Sequence, residues 1–303
     1  MRGRPGRGRR AVAVLLILSL LFTFAALPRN TRYRPQPRVA WRHATPPDVV
    51  VFSVSGRCGL NCNAPDDNHD YLSGAGTVRE VARAFEAEQM TVYALGYRSH
   101  LFNGPSTGGD AEAQFGFLQL ETDFDWVRRN WPATRKVLLG HSHGVNWTHN
   151  LLRLHPAWTA DYLIDLDGVC TKWEEDNEAS FRAYYRARGG NPWPADPRRS
   201  CRAVFVQGKA RKYSVKDVAY PGVTFNLEVR TGAGPIADAV PNLRPDGSKR
   251  GVEGLVVDEN HAAIVVPGSR ALEWVVHRIA CSLPAGSAPA TPATPALAPP
   301  PCP

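Results

Sequence analysis

No aspartate or glutamate occurs before Asp48, although the 303-residue chain contains 28 of them. Residues 1–42 instead carry ten of the 36 Lys and Arg residues. Setting those ten aside leaves 26 basic against 28 acidic residues in 43–303, so the formal charge of +8 becomes −2 over the rest of the chain. A phosphate-binding domain needs its basic residues on the folded body, so the high isoelectric point is not a nucleic-acid signal. There is no internal repeat, which excludes a solenoid. At 43% hydrophobic and 21% charged residues, the chain is not wholly disordered either.

The N-terminus has its own physics. Arg2, Arg4, Arg7, Arg9 and Arg10 precede an uncharged apolar run of 17 residues, Ala11 to Leu27. The cationic end stays on the cytoplasmic side while the apolar run enters the bilayer, so the chain beyond is exported. Residues 1–27 are therefore expected to be a signal peptide or an uncleaved signal anchor. The run is long for the first and short for a spanning helix of about 20 residues, and no clean A-x-A site marks a cleavage point. The folded body would then be periplasmic, extracellular or membrane-anchored. Six cysteines agree with export. Cys58 and Cys62 lie close enough to bridge within one loop. Cys170 and Cys201 bracket a helical insertion, and a bridge there would contribute roughly 3–4 kcal/mol. Cys281 and Cys302 remain.

Composition divides the rest of the chain. Residues 28–47, rich in Pro and Arg without an apolar period, are expected to be a linker. Residues 284–303 are Pro/Ala/Thr low complexity and are expected to be a disordered tail. The folded domain is then 48–283. Within it, apolar strand-like runs alternate with helical spacing. Strands are expected at Val49–Val54, Thr91–Leu95 (stopped by Gly96), Lys136–Leu139, Tyr162–Leu166, Ala203–Gln207 and Val223–Val229. Helices are expected at Thr77–Met90, Ala111–Arg129, Val145–Leu154 and Ala271–Ala280. Strands apolar on both faces and separated by helices imply a mostly parallel sheet covered on both sides, with its site at the strand C-termini.

Gly140-His141-Ser142-His143-Gly144 is a G-x-S-x-G pattern between a strand, Val137-Leu138-Leu139, and a helix from Val145. A serine on so sharp a turn stands above the sheet at the positive end of the next helix. An alkyl hydroxyl needs a base, and the base needs an orienting acid. His261, in the loop after the last strands, is the expected base. The acid is Asp167, at the end of its strand, or Asp238, on a later loop; Asp165 shares the face of Asp167 but sits deeper. The expected oxyanion donors are the amides of His143 and Arg57, the latter in the loop Ser55-Gly56-Arg57-Cys58 after the first strand.

These residues resemble the α/β-hydrolase superfamily on its lipase/esterase side. The resemblance covers about 48–280 and rests on Gly140–Gly144, Ile164-Asp165-Leu166-Asp167-Gly168 and Asn260-His261-Ala262-Ala263-Ile264. It implies an α/β-hydrolase fold, a Ser142-His261-Asp167 triad, cleavage of an acyl ester (a lipid among the candidates) through an acyl-enzyme, and no cofactor or nucleic-acid partner. Some members place the acid directly after the strand following the nucleophile helix, favouring Asp167; others place it after the next strand, as Asp238 would be. Two departures are Ser55-Gly56 in place of His-Gly at the oxyanion loop and Val145 in place of a small residue after the elbow. An acyltransferase using the same triad, or a non-catalytic binding module tethered to a membrane through the N-terminal segment, are the other readings.

Further features have blander explanations. Lys172–Gly190, aromatic and charged, is either a lid or an ordinary covering helix. His141, His143 and His149 do not have the convergence of a zinc site. Asp66-Asp67-Asn68-His69-Asp70 is better explained as a solvated loop than as a calcium site. The Asn146-Trp147-Thr148 sequon lies in the elbow helix and should be inaccessible.

Overall fold

In the strand Val49–Val54 (β1) every side chain is buried. Its period of two sends Val50, Phe52 and Val54 into one hydrophobic cluster and Val49 and Val51 into another. The same division recurs in Arg135–His141 (β3), where Leu138 enters the first cluster and Val137 and Leu139 the second. Strands buried on both faces belong in the middle of a sheet covered by two helical layers. The computed structural model describes residues 45–59, 61–104, 114–232 and 238–283. The arginine-rich leader, most of the Pro/Arg-rich stretch, the C-terminal tail and Cys302 lie outside the described residues.

Six parallel strands form the sheet. With Val92–Tyr97 as β2, Ala160–Leu166 as β4, and Val223–Thr231 and Val252–Val257 as the last two, the spatial order is β2-β1-β3-β4-β7-β8. The first helical layer is Phe117–Asn130 (α3), His143–Leu154 (α4) and Trp173–Arg188 (α5), which fill the first cluster. The second layer is Thr77–Glu86 (α2) and Arg270–Ser282 (α6), which fill the other. In α2 the buried Val78, Val81, Ala82 and Phe85 recur at helical spacing and define its inner face. A short helix, Tyr71–Ala75 (α1), precedes it, with Asp70 accepting from the Ser73 amide as its N-cap. The alternation of elements implied a parallel sheet covered on both faces, and this strand order makes it the α/β-hydrolase fold that the resemblance implied.

The order of the strands reverses at β1. The chain runs from β1 outward to β2, then crosses back to β3 on the other side. The loops leaving the C-terminal ends of β1 and β3 therefore open a crevice at the sheet edge, where such folds place their sites.

Several elements differ from the sequence expectation. β2 continues through Gly96 to Tyr97, because these residues pair with Ser53 and Val54 of β1, and the Asp70 carboxylate fills the space a side chain at 96 would need. Residues 203–207 do not join the sheet: Val204–Phe205 (β5) pairs antiparallel with Lys212–Tyr213 (β6) as a separate hairpin. Phe205 is exposed there, which a strand inside a two-sided sheet would not allow. β8 has no counterpart among the expected strands: it is a partly buried edge strand in which Glu253 and Gly254 cut the apolar run to Leu255, Val256 and Val257. Helix α5 buries Trp173, Phe181, Tyr184 and Tyr185 in the first cluster and so covers the sheet in this structure. Among the described residues, disulfides join Cys58 to Cys62 and Cys170 to Cys201. Among the described residues no helix is long and apolar enough to cross a membrane.

Aromatic packing holds α3 to the sheet. Phe124 lies 5.0 Å from Phe52 of β1 and stacks on Trp158 at 5.5 Å, with no exposure of its own. Phe124→Ala should destabilise the fold by about 3–5 kcal/mol. Urea unfolding should show this as a lower midpoint with an unchanged slope.

Candidate active site

The turn from β3 to α4 is held by backbone contacts that leave little room for side chains. A Cβ on Gly144 would lie 1.9 Å from the carbonyl oxygen of Val54, at the end of β1. One on Gly56, in the loop after β1, would lie 2.5 Å from Ser142 Cβ. The loop after β1 and the elbow thus approach to a distance that only glycine permits. Ser142 itself has φ 56° and ψ −125°, a conformation that a non-glycine residue holds only when its surroundings impose it. They do. The Ser142 amide donates to Leu166 O at 3.1 Å, and its carbonyl accepts from the amides of Val145 and Val169, each at 3.2 Å.

Asp167 follows β4 and is also at positive φ, 47°. Its buried carboxylate accepts from His261 Nδ1 at 2.6 Å, the Thr231 amide at 2.9 Å, Thr231 Oγ1 at 2.8 Å and the Asp238 amide at 3.2 Å. Burial pushes this carboxyl up, but the hydrogen bonds from His261 and Thr231 outweigh it and hold the group below its ordinary range. Asp238 does not meet His261. Its carboxylate pairs with Lys216 Nζ at 2.6 Å, and burial raises it to about 6 despite that cation. Of the two acids that the sequence left open, Asp167 has the hydrogen bond to His261, and Asp238 supports Asp167 through its backbone.

The amides of Arg57 and His143 have no hydrogen-bond partner among the described residues. Donors reserved for an oxyanion must be free in this way. The Arg57 side chain is drawn off to α5, where its Nε donates to Asp176 Oδ2 at 2.9 Å. The Ser142 Oγ–His261 Nε2 hydrogen bond is not closed in this structure, and catalytic bonds of this type are commonly long before substrate binds.

Two residues in this constellation escaped the sequence reading. The hydroxyl of Tyr71 accepts from the Gly56 amide at 2.8 Å and donates to His141 Nδ1. On its other side His141 Nε2 donates to the backbone carbonyl of His261 at 2.9 Å. The loop after β1, the elbow and the histidine loop are thereby joined through side chains. Nothing at Tyr71 signals this in the sequence; at His141 the only signal is a polar residue ending an apolar strand.

The remaining candidates have structural partners. His143 Nε2 donates to Thr171 O at 2.7 Å, and burial lowers this histidine to about 4. His149 bonds Asp165 at 2.9 Å, and Asp165 also accepts from Asn226 at 2.6 Å and Asn242 at 2.8 Å. That buried network ties α4 to β4 and β7. Nearby Glu228 is pushed up to about 8 by burial, which favours its neutral form in this network. The three histidines thus point to different partners, and no metal-binding cluster of His, Cys, Asp and Glu occurs among the described residues. Asn68 and Asp70 bond to the Cys58 amide and to Ser55 and Ser73. Asn146 of the sequon is buried.

The sheet order and the strained elbow define the chain as α/β-hydrolase in fold. No family model matches the sequence, and no curated protein matches it. Solved structures similar in shape include an esterase, Est1E, from Butyrivibrio proteoclasticus bound to ferulic acid: 13% identity, TM-score 0.37, covering 77% of this chain and 86% of that one. A Pyrococcus furiosus esterase has 14% identity and TM-score 0.38, covering 77% and 80%. An extracellular α/β-hydrolase from a Paenibacillus species has 14% identity and TM-score 0.35, covering 77% and 98%. Likenesses this weak carry no argument about activity, and the fold assignment rests on the strand order and elbow.

A carboxyl depressed on folding adds stability that is complete above its ordinary value of 3.8 and is lost as the pH falls through the lower folded value. Asp167→Asn should therefore cost about 2–3 kcal/mol at neutral pH. The gap from the native chain should close progressively below pH 3.8. Thermal unfolding across the acid range measures it.

Proposed function

We propose that this chain is a serine hydrolase of carboxylic esters, of lipase or esterase type, exported or held at a membrane by its N-terminal segment. The observation that carries the reading is the His261–Asp167 pair at 2.6 Å, on the same sheet edge as a serine held in a strained strand-to-helix turn. In the mechanism His261 Nε2 takes the Ser142 proton as Oγ attacks the acyl carbonyl. Asp167 fixes the tautomer through Nδ1 and stabilises the imidazolium. The Arg57 and His143 amides receive the oxyanion, each worth roughly 3–4 kcal/mol. The alcohol departs with the proton held by His261, and water, activated by the same base, releases the acid. The Cys58–Cys62 and Cys170–Cys201 disulfides support an oxidising compartment.

A fluorophosphonate probe tests the nucleophile. The tryptic peptide Val137–Arg153 contains a single serine, so mass spectrometry assigns the adduct without ambiguity. Labelling is expected at Ser142 and should vanish in His261→Ala. A folded chain that stays unlabelled, with and without detergent, sinks the proposal.

Tyr71 gives a second test. Tyr71→Phe removes both the proton donated to His141 and the acceptor of the Gly56 amide. The labelling rate at Ser142 should fall roughly ten- to a hundredfold, as small misplacements of catalytic groups do, with the circular dichroism spectrum unchanged. An unchanged rate would leave Tyr71 a packing residue only.

A further inference from the structure

We propose that the β5–β6 hairpin and the cleft beside it form a binding site for anionic phospholipid at a bilayer surface. The site is separate from the proposed triad and does not depend on it. Between Asp196 and Asp217 the chain has no acidic residue, while it has seven Lys and Arg. Two of the seven are satisfied internally: Arg198 by Asp196, and the buried Lys216 by Asp217 and Asp238. Arg199, Arg202, Lys209, Arg211 and Lys212 remain exposed, and none forms an ion pair among the described residues. The adjoining turn, held to the hairpin by Gln207 N donating to Pro245 O at 2.8 Å, adds exposed Lys249 and Arg250 against the single Asp246.

Within this field of positive charge stands Phe205, 67% exposed and the only large aromatic side chain so exposed among the described residues. It pairs across the hairpin with Lys212, whose Nζ lies 5.6 Å from the ring centroid. Beside it a cleft of about 460 Å³ is walled in part by Arg202, Arg211, Lys212 and Ser214. Asp217 also lines the cleft, but its carboxylate is engaged by Lys216.

An aromatic ring among cations at the end of a short hairpin suits a membrane interface. The ring enters the boundary between headgroups and acyl chains while the cations meet lipid phosphates. The cleft provides room for one phosphate-bearing headgroup. A nucleic-acid duplex would satisfy the cations but, with its bases stacked inside, give the ring no apolar phase, and the body as a whole carries no excess positive charge. The N-terminal sequence, five arginines before seventeen uncharged residues, directs the same chain to a membrane and agrees with this occupant.

Hydrogen–deuterium exchange of the full chain, reconstituted with vesicles, tests the site locally, whatever the N-terminal segment does. On phosphatidylglycerol vesicles, amides in 205–212 should become protected. On phosphatidylcholine vesicles they should not. Protection should weaken with added salt, since the contact is screened within a Debye length of about 8 Å at physiological ionic strength. Arg211→Glu/Lys212→Glu, at two exposed positions, should weaken the contact by at least a factor of about 25, about fivefold for each cation removed. Equal protection on both lipids, protection on neither, or an unaffected double variant overturns the proposal. So does equal protection by duplex DNA or by soluble glycerol phosphate, which would make the hairpin a general anion binder.

Discussion

One buried carboxylate joins the parts of this molecule that the chemistry must bring together. Asp167 accepts hydrogen bonds from the base of the proposed triad, from two groups of Thr231 at the end of β7, and from the amide of Asp238. Each partner comes from a stretch of chain distant in sequence, so the position of His261 is set by the ends of β4 and β7 together. A buried charge with four donors also cannot lose one cheaply, because the remaining charge would still be out of water. The histidine loop is therefore held where the sheet puts it, and the positive φ of Asp167 is a local strain that these bonds impose.

The sheet gives that carboxylate something rigid to act on. β1 and β3 are buried on both faces, and their alternating side chains feed two separate cores. Neither strand can slip by a residue without exchanging both sets of side chains between the two layers. Register is thus secure where the loop after β1 and the elbow leave the sheet. The contact of Gly56 with Ser142 depends on that register to within a fraction of an ångström. Below the elbow, the buried His149–Asp165–Asn226–Asn242 network fixes α4 against the strands on the far side of the turn. The strained serine sits between a packed core and a polar lock, and neither alone would hold it.

Much of this architecture is legible in the residues themselves. The elbow announces itself because two glycines at fixed spacing are a steric necessity, and steric necessities leave a mark in sequence. The central strands do so because burial on both faces requires continuous apolar runs. What stays hidden depends on neighbours far along the chain. Asp167 and Asp238 are both aspartates at loop entrances, and only the pairing of β4 with β7 shows which carboxylate reaches His261 and which gives its amide to the other. β8 is an edge strand with mixed exposure, and Glu253 and Gly254 interrupt the kind of apolar run that betrays β1. The apolar letters of 203–207 resemble a sheet strand, yet the basic residues around them keep the segment in a hairpin at the surface. Tyr71 has no local pattern at all, since its role is a hydroxyl placed between two loops.

The two histidines flanking Ser142 show why such placement matters electrostatically. Burial pushes His141 well below its ordinary value, and the neighbouring His261 pushes in the same direction. Its hydrogen bonds agree: Nε2 faces a carbonyl and must carry the proton, while Nδ1 receives the Tyr71 hydroxyl. A ring that donates at one nitrogen and accepts at the other is held in a single neutral tautomer. His143 is neutral for a similar reason, buried with Nε2 committed to Thr171 O. The ring centroids of His141 and His261 are only 4.5 Å apart, so a charged His141 would oppose any positive charge arriving on His261. A general base beside a serine must accept such a charge in the transition state. Keeping both flanking imidazoles uncharged removes that opposition, and it leaves the Asp167 carboxylate as the charged group hydrogen-bonded to His261. Tyr71 then acts on the site at two points: it accepts from the Gly56 amide and so steadies the glycine loop, and it donates to the nitrogen of His141 left bare when the His261 carbonyl holds the proton on the other.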